Sequence, residues 1–273
     1  MAAITASLVK ELRERTGIGM MDCKKALVDS AGDVDNAIEI LRKNSGLKAA
    51  KKSGRTAKEG LVKVILSDDR RSAAMVEVNC ETDFAARHED FAHFVDSVAE
   101  KIFQSRNTDI DSLLAAGLQQ EREVLVQKIG ENVSIRRAEI VTAQAGLIAE
   151  YVHNGKIAVL VVLQGTDEAL GKDIAMHVAA SSPLVINPED APEETLAAER
   201  KIYLAQAEDS GKPPEIVAKM VEGRIRKYLS EISLLEQPFV KNPDQTIGAL
   251  LKAADSSVTS FVRFEVGEGI ETE

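Results

Sequence analysis

Apolar positions recur at helical spacing through the first 45 residues. Leu8, Val9 and Leu12 lie at i, i+1 and i+4. Cys23, Ala26 and Leu27 mark the apolar side of a second segment that opens at Met21, Lys24 and Lys25. Val34, Ala37, Ile38 and Leu41 give the i, i+3, i+4, i+7 stripe of an amphipathic helix. Thr16-Gly17-Ile18-Gly19 and Ala31-Gly32-Asp33 supply the breaks. Three short helices in so few residues are near the lower limit for an independent core and leave no room for an enclosed catalytic pocket, so they read as a docking unit. Residues 46–59 are polar and basic and read as a linker.

The pattern then changes to strands. Residues 60–66 and 73–80 flank Ser67-Asp68-Asp69-Arg70 as the arms of a hairpin. Phe91, Phe94, Val95 and Val98 follow at helical spacing. Residues 119–131 read as a further helix and 133–142 as a strand. A second copy of this order begins at Gly146-Leu147-Ile148, which answers Gly60-Leu61-Val62. The first hairpin ends in Thr82-Asp83 and the second in Thr166-Asp167. The second interval is shorter, as a tighter turn at His153-Asn154-Gly155-Lys156 would make it. In both copies the Thr-Asp pair suits a helix start, the Thr oxygen as cap and the acid at the positive helix end. One position breaks the repeat: Phe84 stands where the second copy has Glu168. A lone Phe is most often core filler, whereas an exposed Phe beside an acid is a protein-binding anchor.

Residues 188–229 interrupt the second copy. Pro188 and Pro192 open a helix carrying Leu196, Ile202 and Leu204. Ser210-Gly211-Lys212-Pro213-Pro214 reads as a turn, and Ile216, Val217, Met220, Val221, Ile225 and Leu229 lie on a second helix. Such an antiparallel hairpin has too little apolar surface for a core of its own, so it is expected to project and pair. Val258, Ser260, Val262, Phe264 and Val266 alternate with Thr259, Phe261, Arg263 and Glu265 as a closing strand. The expected class is α+β, with two related hairpin-and-helix units.

Composition narrows the function. The 273 residues carry 34 Lys and Arg against 44 Asp and Glu, a net charge of −10, which argues against duplex DNA or an anionic membrane as the main partner. Charge is uneven: residues 1–58 hold 12 basic and 7 acidic side chains, leaving −15 for the remainder. The stretch Lys43, Lys48, Lys51, Lys52, Arg55, Lys58 is either a surface for an acidic partner or a solvated linker. The absence of Trp and the few aromatics leave little to stack on single-stranded bases. The longest apolar run, 157–163, is far short of a membrane span, and residues 1–15 lack a signal-peptide core. Two cysteines, Cys23 and Cys80, fit a reducing cytoplasm.

Catalytic signatures are weak. Gly171-Lys172 is followed by Asp173, not Ser or Thr, and Gly17-Ile18-Gly19 neither follows a strand nor has the third glycine of a dinucleotide loop. His88 and His93 are five apart and fall off a common helix face, unlike zinc ligands four apart. Cys80 would be a nucleophile only with a histidine beside it, and a buried thiol is the plainer reading. No cofactor and no metal are expected.

Val9-Lys10-Glu11-Leu12-Arg13-Glu14-Arg15-Thr16-Gly17-Ile18-Gly19-Met20-Met21-Asp22-Cys23-Lys24-Lys25-Ala26-Leu27 resembles the opening signature of bacterial translation elongation factor Ts. Glu77-Val78-Asn79-Cys80-Glu81-Thr82-Asp83-Phe84 resembles its second signature. Ala175-Met176-His177-Val178-Ala179-Ala180-Ser181, Gln237-Pro238-Phe239-Val240 and Phe264-Glu265-Val266-Gly267-Glu268-Gly269 match further segments. The resemblance therefore covers almost the whole chain.

The family is the guanine-nucleotide exchange factor for elongation factor Tu, without an active site of its own and cytoplasmic. The resemblance implies a UBA-like three-helix docking module over 1–55, one core subdomain over 56–143, a second over 144–186 with 230–273, and an inserted helical hairpin over 187–229 used in dimerisation. It implies that Thr82, Asp83 and Phe84 form the segment whose Asp-Phe pair enters between two helices of the Tu GTPase domain and disturbs its magnesium and phosphate site. Lys10, Arg13, Met20, Met21 and Lys24 would dock the N-terminal module on that domain, and His153 and Val240 would face Tu from the second subdomain. Asp83 is expected to orient the Phe84 wedge or to cap its helix. A passive Tu-binding scaffold or holdase is the alternative. The resemblance implies neither nucleic acid nor membrane as a direct partner. Two departures stand out. Ala85 replaces a frequent Val, which reads as a slightly smaller wedge. The family commonly continues past Gly269-Ile270 with another helix, whereas this sequence ends at Glu273; without that helix's contact, affinity for Tu is expected to be lower.

Overall fold

The computed structural model describes residues 4–208 and 213–271. The proposed turn at Ser210-Gly211-Lys212 lies outside them. Helices α1 (Ala6–Thr16), α2 (Met20–Asp29) and α3 (Val34–Lys52) open the chain. Thr5 and Asp33 cap α1 and α3 by accepting from the amides of Leu8 and Asn36. Val9, Leu12, Ile18, Cys23, Ala26, Leu27, Ala37 and Leu41 form their common core. The third helix is not short, and the expected linker is helical as far as Lys52. Its charged residues stay outside while Ser45 and Ala49 are buried against the next unit. A polar, basic stretch with a buried residue every fourth position is a helix face, not a tether.

Strands β1 (Glu59–Leu66) and β2 (Ser72–Cys80) form the first hairpin. The one-turn helix α4 (Asp83–Ala86) follows, then α5 (Glu89–Ser105), α6 (Ile110–Leu113), an irregular turn with Gly117 at φ 117°, and α7 (Gln119–Ile129). Strand β3 (Val133–Thr142) then returns antiparallel beside β2. Strands β4 (Leu147–His153) and β5 (Ile157–Gln164) make the second hairpin, and α8 (Glu168–Ser181) packs on it. Helices α9 (Glu193–Glu208) and α10 (Pro214–Ile232) follow. A small ribbon of β6 (Pro238–Phe239) and β7 (Asn242–Thr246), the helix α11 (Ile247–Ala253) and the closing strand β8 (Ser257–Glu265) complete the chain. The fold is α+β. The ribbon, α6 and α11 are too short to leave a readable period in the sequence.

The two three-stranded sheets share one arrangement, β1-β2-β3 and β4-β5-β8, all antiparallel. The connection over 154–156 is shorter than that over 67–71, which accounts for the unequal intervals. Gly60 and Gly146 occupy positive φ, and a Cβ on either would lie about 2 Å from a carbonyl of the partner strand, Val78 or Leu163. Both sheets also carry a bulge in the returning strand.

Each sheet has a helical face and a sheet face. Ala74, Val76, Val78 and Cys80 pack under α5 and α7, whereas Ala73 and Met75 turn the other way. Val159, Val161 and Leu163 pack under α8, whereas Ala158, Leu160 and Val162 turn the other way. The two remaining faces meet in one cluster with Val62, Ile148 and Phe264. The result is helix, sheet, sheet, helix. Backbone bonds from Val62 N–H to Gly155 O (2.8 Å) and from Ile148 N–H to Arg70 O (2.7 Å) join the layers.

In the helical hairpin the seam is Tyr203 and Ala207 against Val217, Val221, Ile225 and Leu229. Ile202 and Leu204 on α9 are exposed and lie outside this seam. Among the described residues no helix is long and apolar enough to cross a membrane.

Candidate partner-binding site

The hinge between β2 and α4 is where the repeat is broken, and the structure holds it from several sides. Thr82 sits in extended backbone as the cap of α4, its Oγ1 accepting from the Ala85 amide at 3.2 Å. The same hydroxyl donates to Glu131 Oε1 at 2.6 Å, and the Thr82 N–H donates to Glu131 Oε2 at 2.9 Å. One carboxylate thus grips Thr82 twice from a loop 49 positions away. Asp83 does not cap; its carboxylate pairs with Arg87 at 2.8 Å on the rim. In the second copy the cap is Asp167, accepting from the Leu170 amide, and not Thr166.

The turn splits its residues sharply. Ala85 and Ala86 are buried in the core under β2, whereas Phe84 is 79% exposed. Ala85 is therefore part of the core and not of the wedge, so its small size bears on packing rather than on what Phe84 presents. A benzyl group so exposed, on a one-turn helix whose neighbours are pinned below it, has the profile of an interface anchor.

The other candidates lie on separate elements. Met20 (58% exposed) and Met21 (78%) are in the first turn of α2. Lys24 is exposed one turn on, and Lys10 and Arg13 are exposed on α1, with Lys10 3.7 Å from Glu14. The α1–α2 turn passes close to α7: Gly17, at φ 67°, lies against the end of the Lys128 side chain. Lys128 in turn pairs with Asp90 at 2.6 Å. His153 is exposed at the end of β4, its Nδ1 3.2 Å from the Tyr151 hydroxyl. Val240 is exposed after β6, and its amide donates to His177 Nδ1 at 3.3 Å. His177 Nε2 meets Gln237 Oε1 at 2.9 Å, and Gln237 Nε2 donates to Glu231 O at 2.6 Å. Burial pushes His177 below its ordinary value, so the neutral ring with the proton on Nε2 satisfies both contacts.

Sequence reasoning missed the residues that hold these candidates. Glu131, His177 and Gln237 make their contacts across long stretches of chain, so no local spacing betrays them. Cys80 is accounted for differently. It is buried, its thiol donates to Thr82 O at 3.2 Å, and burial, reinforced by the charge of Glu131, pushes it up to about 12. A thiolate is disfavoured there, and the residue serves as packing and as a tie to the turn. Among the described residues no three His, Cys, Asp or Glu side chains group as a metal ion would need.

Comparison with known proteins agrees with the signatures. The family model for elongation factor Ts matches residues 81–268. The chain is 56% identical to elongation factor Ts of Hahella chejuensis, over 100% of this chain and 95% of that protein. It is 56% identical to that of Teredinibacter turnerae, over 98% and 92%, and 55% identical to that of Marinobacter nauticus, over 100% and 94%. With a family match over most of the chain and similarity running its whole length, this translation elongation factor belongs to the elongation factor Ts family.

Proposed function

We propose that the protein is a guanine-nucleotide exchange factor that binds elongation factor Tu in the cytoplasm and speeds GDP release. The observation that carries this reading is the 79% exposed Phe84 on a turn pinned by Glu131. An exchange factor binds its partner better without nucleotide than with it, and by linkage it weakens nucleotide binding by the same factor. Seating the ring between two packed helices of the Tu GTPase domain removes apolar area from water. Those helices part, because a packed core does not absorb extra volume smoothly. The magnesium and phosphate contacts they support are then lost. Asp83, with Arg87, keeps the rim of the wedge polar.

The remaining roles divide along the chain. Residues 1–55 dock through Lys10, Arg13, Met20, Met21 and Lys24, and residues 56–143 carry Thr82, Asp83 and Phe84. Residues 144–186 with 230–273 present His153 and Val240 to a further part of Tu. The hairpin over 187–229 exposes Ile202, Leu204 and Ile216, a surface suited to self-association.

Phe84→Ala tests the wedge. Losing a buried ring is worth about 1.5–3 kcal/mol, roughly a tenfold to hundredfold fall in GDP release from Tu at saturating factor. Stopped-flow release of a fluorescent GDP reads this directly, and an unchanged rate rejects the wedge. Capture of Tu that is equal with and without excess GDP would instead point to a passive scaffold.

A further inference from the structure

Two loops exchange hydrogen bonds reciprocally beside the wedge. Glu131 accepts from Thr82, and Glu81 accepts from the Asn132 N–H at 2.6 Å. Asn132 is 5% exposed. Its side-chain amide turns away from the wedge and donates to Arg55 O at 2.8 Å and Ser53 O at 3.4 Å, the residues that leave α3. The Arg55 guanidinium returns to Glu81 at 3.5 Å, and the Lys52 ammonium donates to Gly130 O. Beneath this, Ala49 of α3 shares a cluster with Ala85 and Ala86 of α4. The end of the three-helix unit, the wedge turn and the loop before β3 are therefore one knot, and Asn132, itself in that loop, touches the other two.

We propose that Asn132 is a positioning residue that locks the three-helix unit to the wedge turn, so that both reach Tu at one fixed spacing. This rests on the exchange reading above. Two contact regions held rigidly bind as one; joined loosely, each must be ordered separately, and the second engages at a lower effective concentration. Loosening the Asn132 amide leaves the Glu131 grip on Thr82 intact and leaves Ala49 seated. The unit rocks rather than detaches. The wedge still works once bound, but more factor is needed to bring it there.

Asn132→Asp keeps the shape and removes both side-chain donors; Asn132→Ser keeps one hydroxyl and guards against loss of folding. Two readouts are needed. Spin labels at Val28→Cys and Asp68→Cys, both exposed, report the spacing between α2 and the 67–71 loop, while Cys23 and Cys80 stay buried. Pulsed EPR should give a narrow distance distribution in the parent and a broader one in both variants. GDP release from Tu should need roughly tenfold more Asn132→Asp factor for half-maximal rate, with the saturating rate within about twofold of the parent. A distribution as narrow in the variants as in the parent overturns the lock. A broadened distribution with an unmoved half-maximal concentration overturns its role in binding, and a saturating rate that falls in step with affinity places Asn132 in the wedge instead. If the parent itself fails to release GDP, the exchange reading falls, while the label distances still decide the lock.

Discussion

Phe84 differs from its counterpart Glu168 in one property, and the structure makes that property visible. Both residues sit just after a hairpin end, yet only Phe84 projects an aromatic ring into solvent. Thr82 makes this presentation possible, since its hydroxyl donates to Glu131 and accepts from Ala85 at once. Thr82→Val keeps the shape and loses both bonds. It should cost about 1–3 kcal/mol, the range for a cap and a part-buried bond to a charged acceptor. Urea unfolding measures it, and Thr82→Ser should restore most of the loss. A Val variant as stable as the parent would mean that Glu131 is satisfied elsewhere. Phe84 was conspicuous in the sequence because the second copy carries Glu168 at the matching position. Glu131 was not, because nothing within its own helix-to-strand connection points to Thr82.

Among the elements, β2 and β3 show how a bulge serves a buried charge. Adjacent residues on a regular strand point to opposite faces. The bulge opposite Glu77 lets Arg136 and Arg137 both reach it, at 3.0 Å and 2.6 Å. Asn79 and the Gly267 amide complete the shell at 3.0 Å and 2.8 Å. Burial alone pushes the Glu77 carboxyl up, but the Gly267 amide, Asn79 and the two arginines outweigh it and hold it below the ordinary carboxylate value. A depressed value means that this stabilisation is complete above the unfolded carboxylate range and is lost as pH falls through the folded value. Glu77→Gln should therefore lower stability by about 2–4 kcal/mol near neutral pH and flatten the acid limb of a Tm-against-pH curve. Parallel acid limbs in parent and variant would show that Glu77 does not govern it. The elements themselves were largely legible. The arms of the first hairpin, β3 and the closing strand fall close to where alternation and turn residues place them. Helix α3 was misread past residue 45 because its buried face runs from Leu41 through Ser45 and Ala49, and these last two are small residues that carry little hydrophobic signal.

At the scale of the whole molecule, the two sheets close on one another and share a core. Leu160 is fully buried in it, between Ala158 and Val162 on β5 and opposite Met75 and Val62 of the other sheet. Leu160→Ala should cost about 2–5 kcal/mol, and the damage should cross the interface. Hydrogen exchange is the measurement: β2 amides should speed up along with those of β5. Protection lost in β5 alone would show that the two units unfold independently. Period and spacing along the chain were enough for most of the longer helices and for the hairpins, since each depends on neighbours a few positions apart, and setting one copy against the other was enough for their repetition and the odd residue at position 84. The stacking of the sheets, the seating of α3, and the grips of Glu131 on Thr82, of Asn132 on Arg55 and of Glu77 on Gly267 belong to the folded state alone. Their partners lie 49 to 190 positions apart, and contacts at that range leave no periodic trace in a single chain; burial on both faces even erases the alternation of β2 and β5.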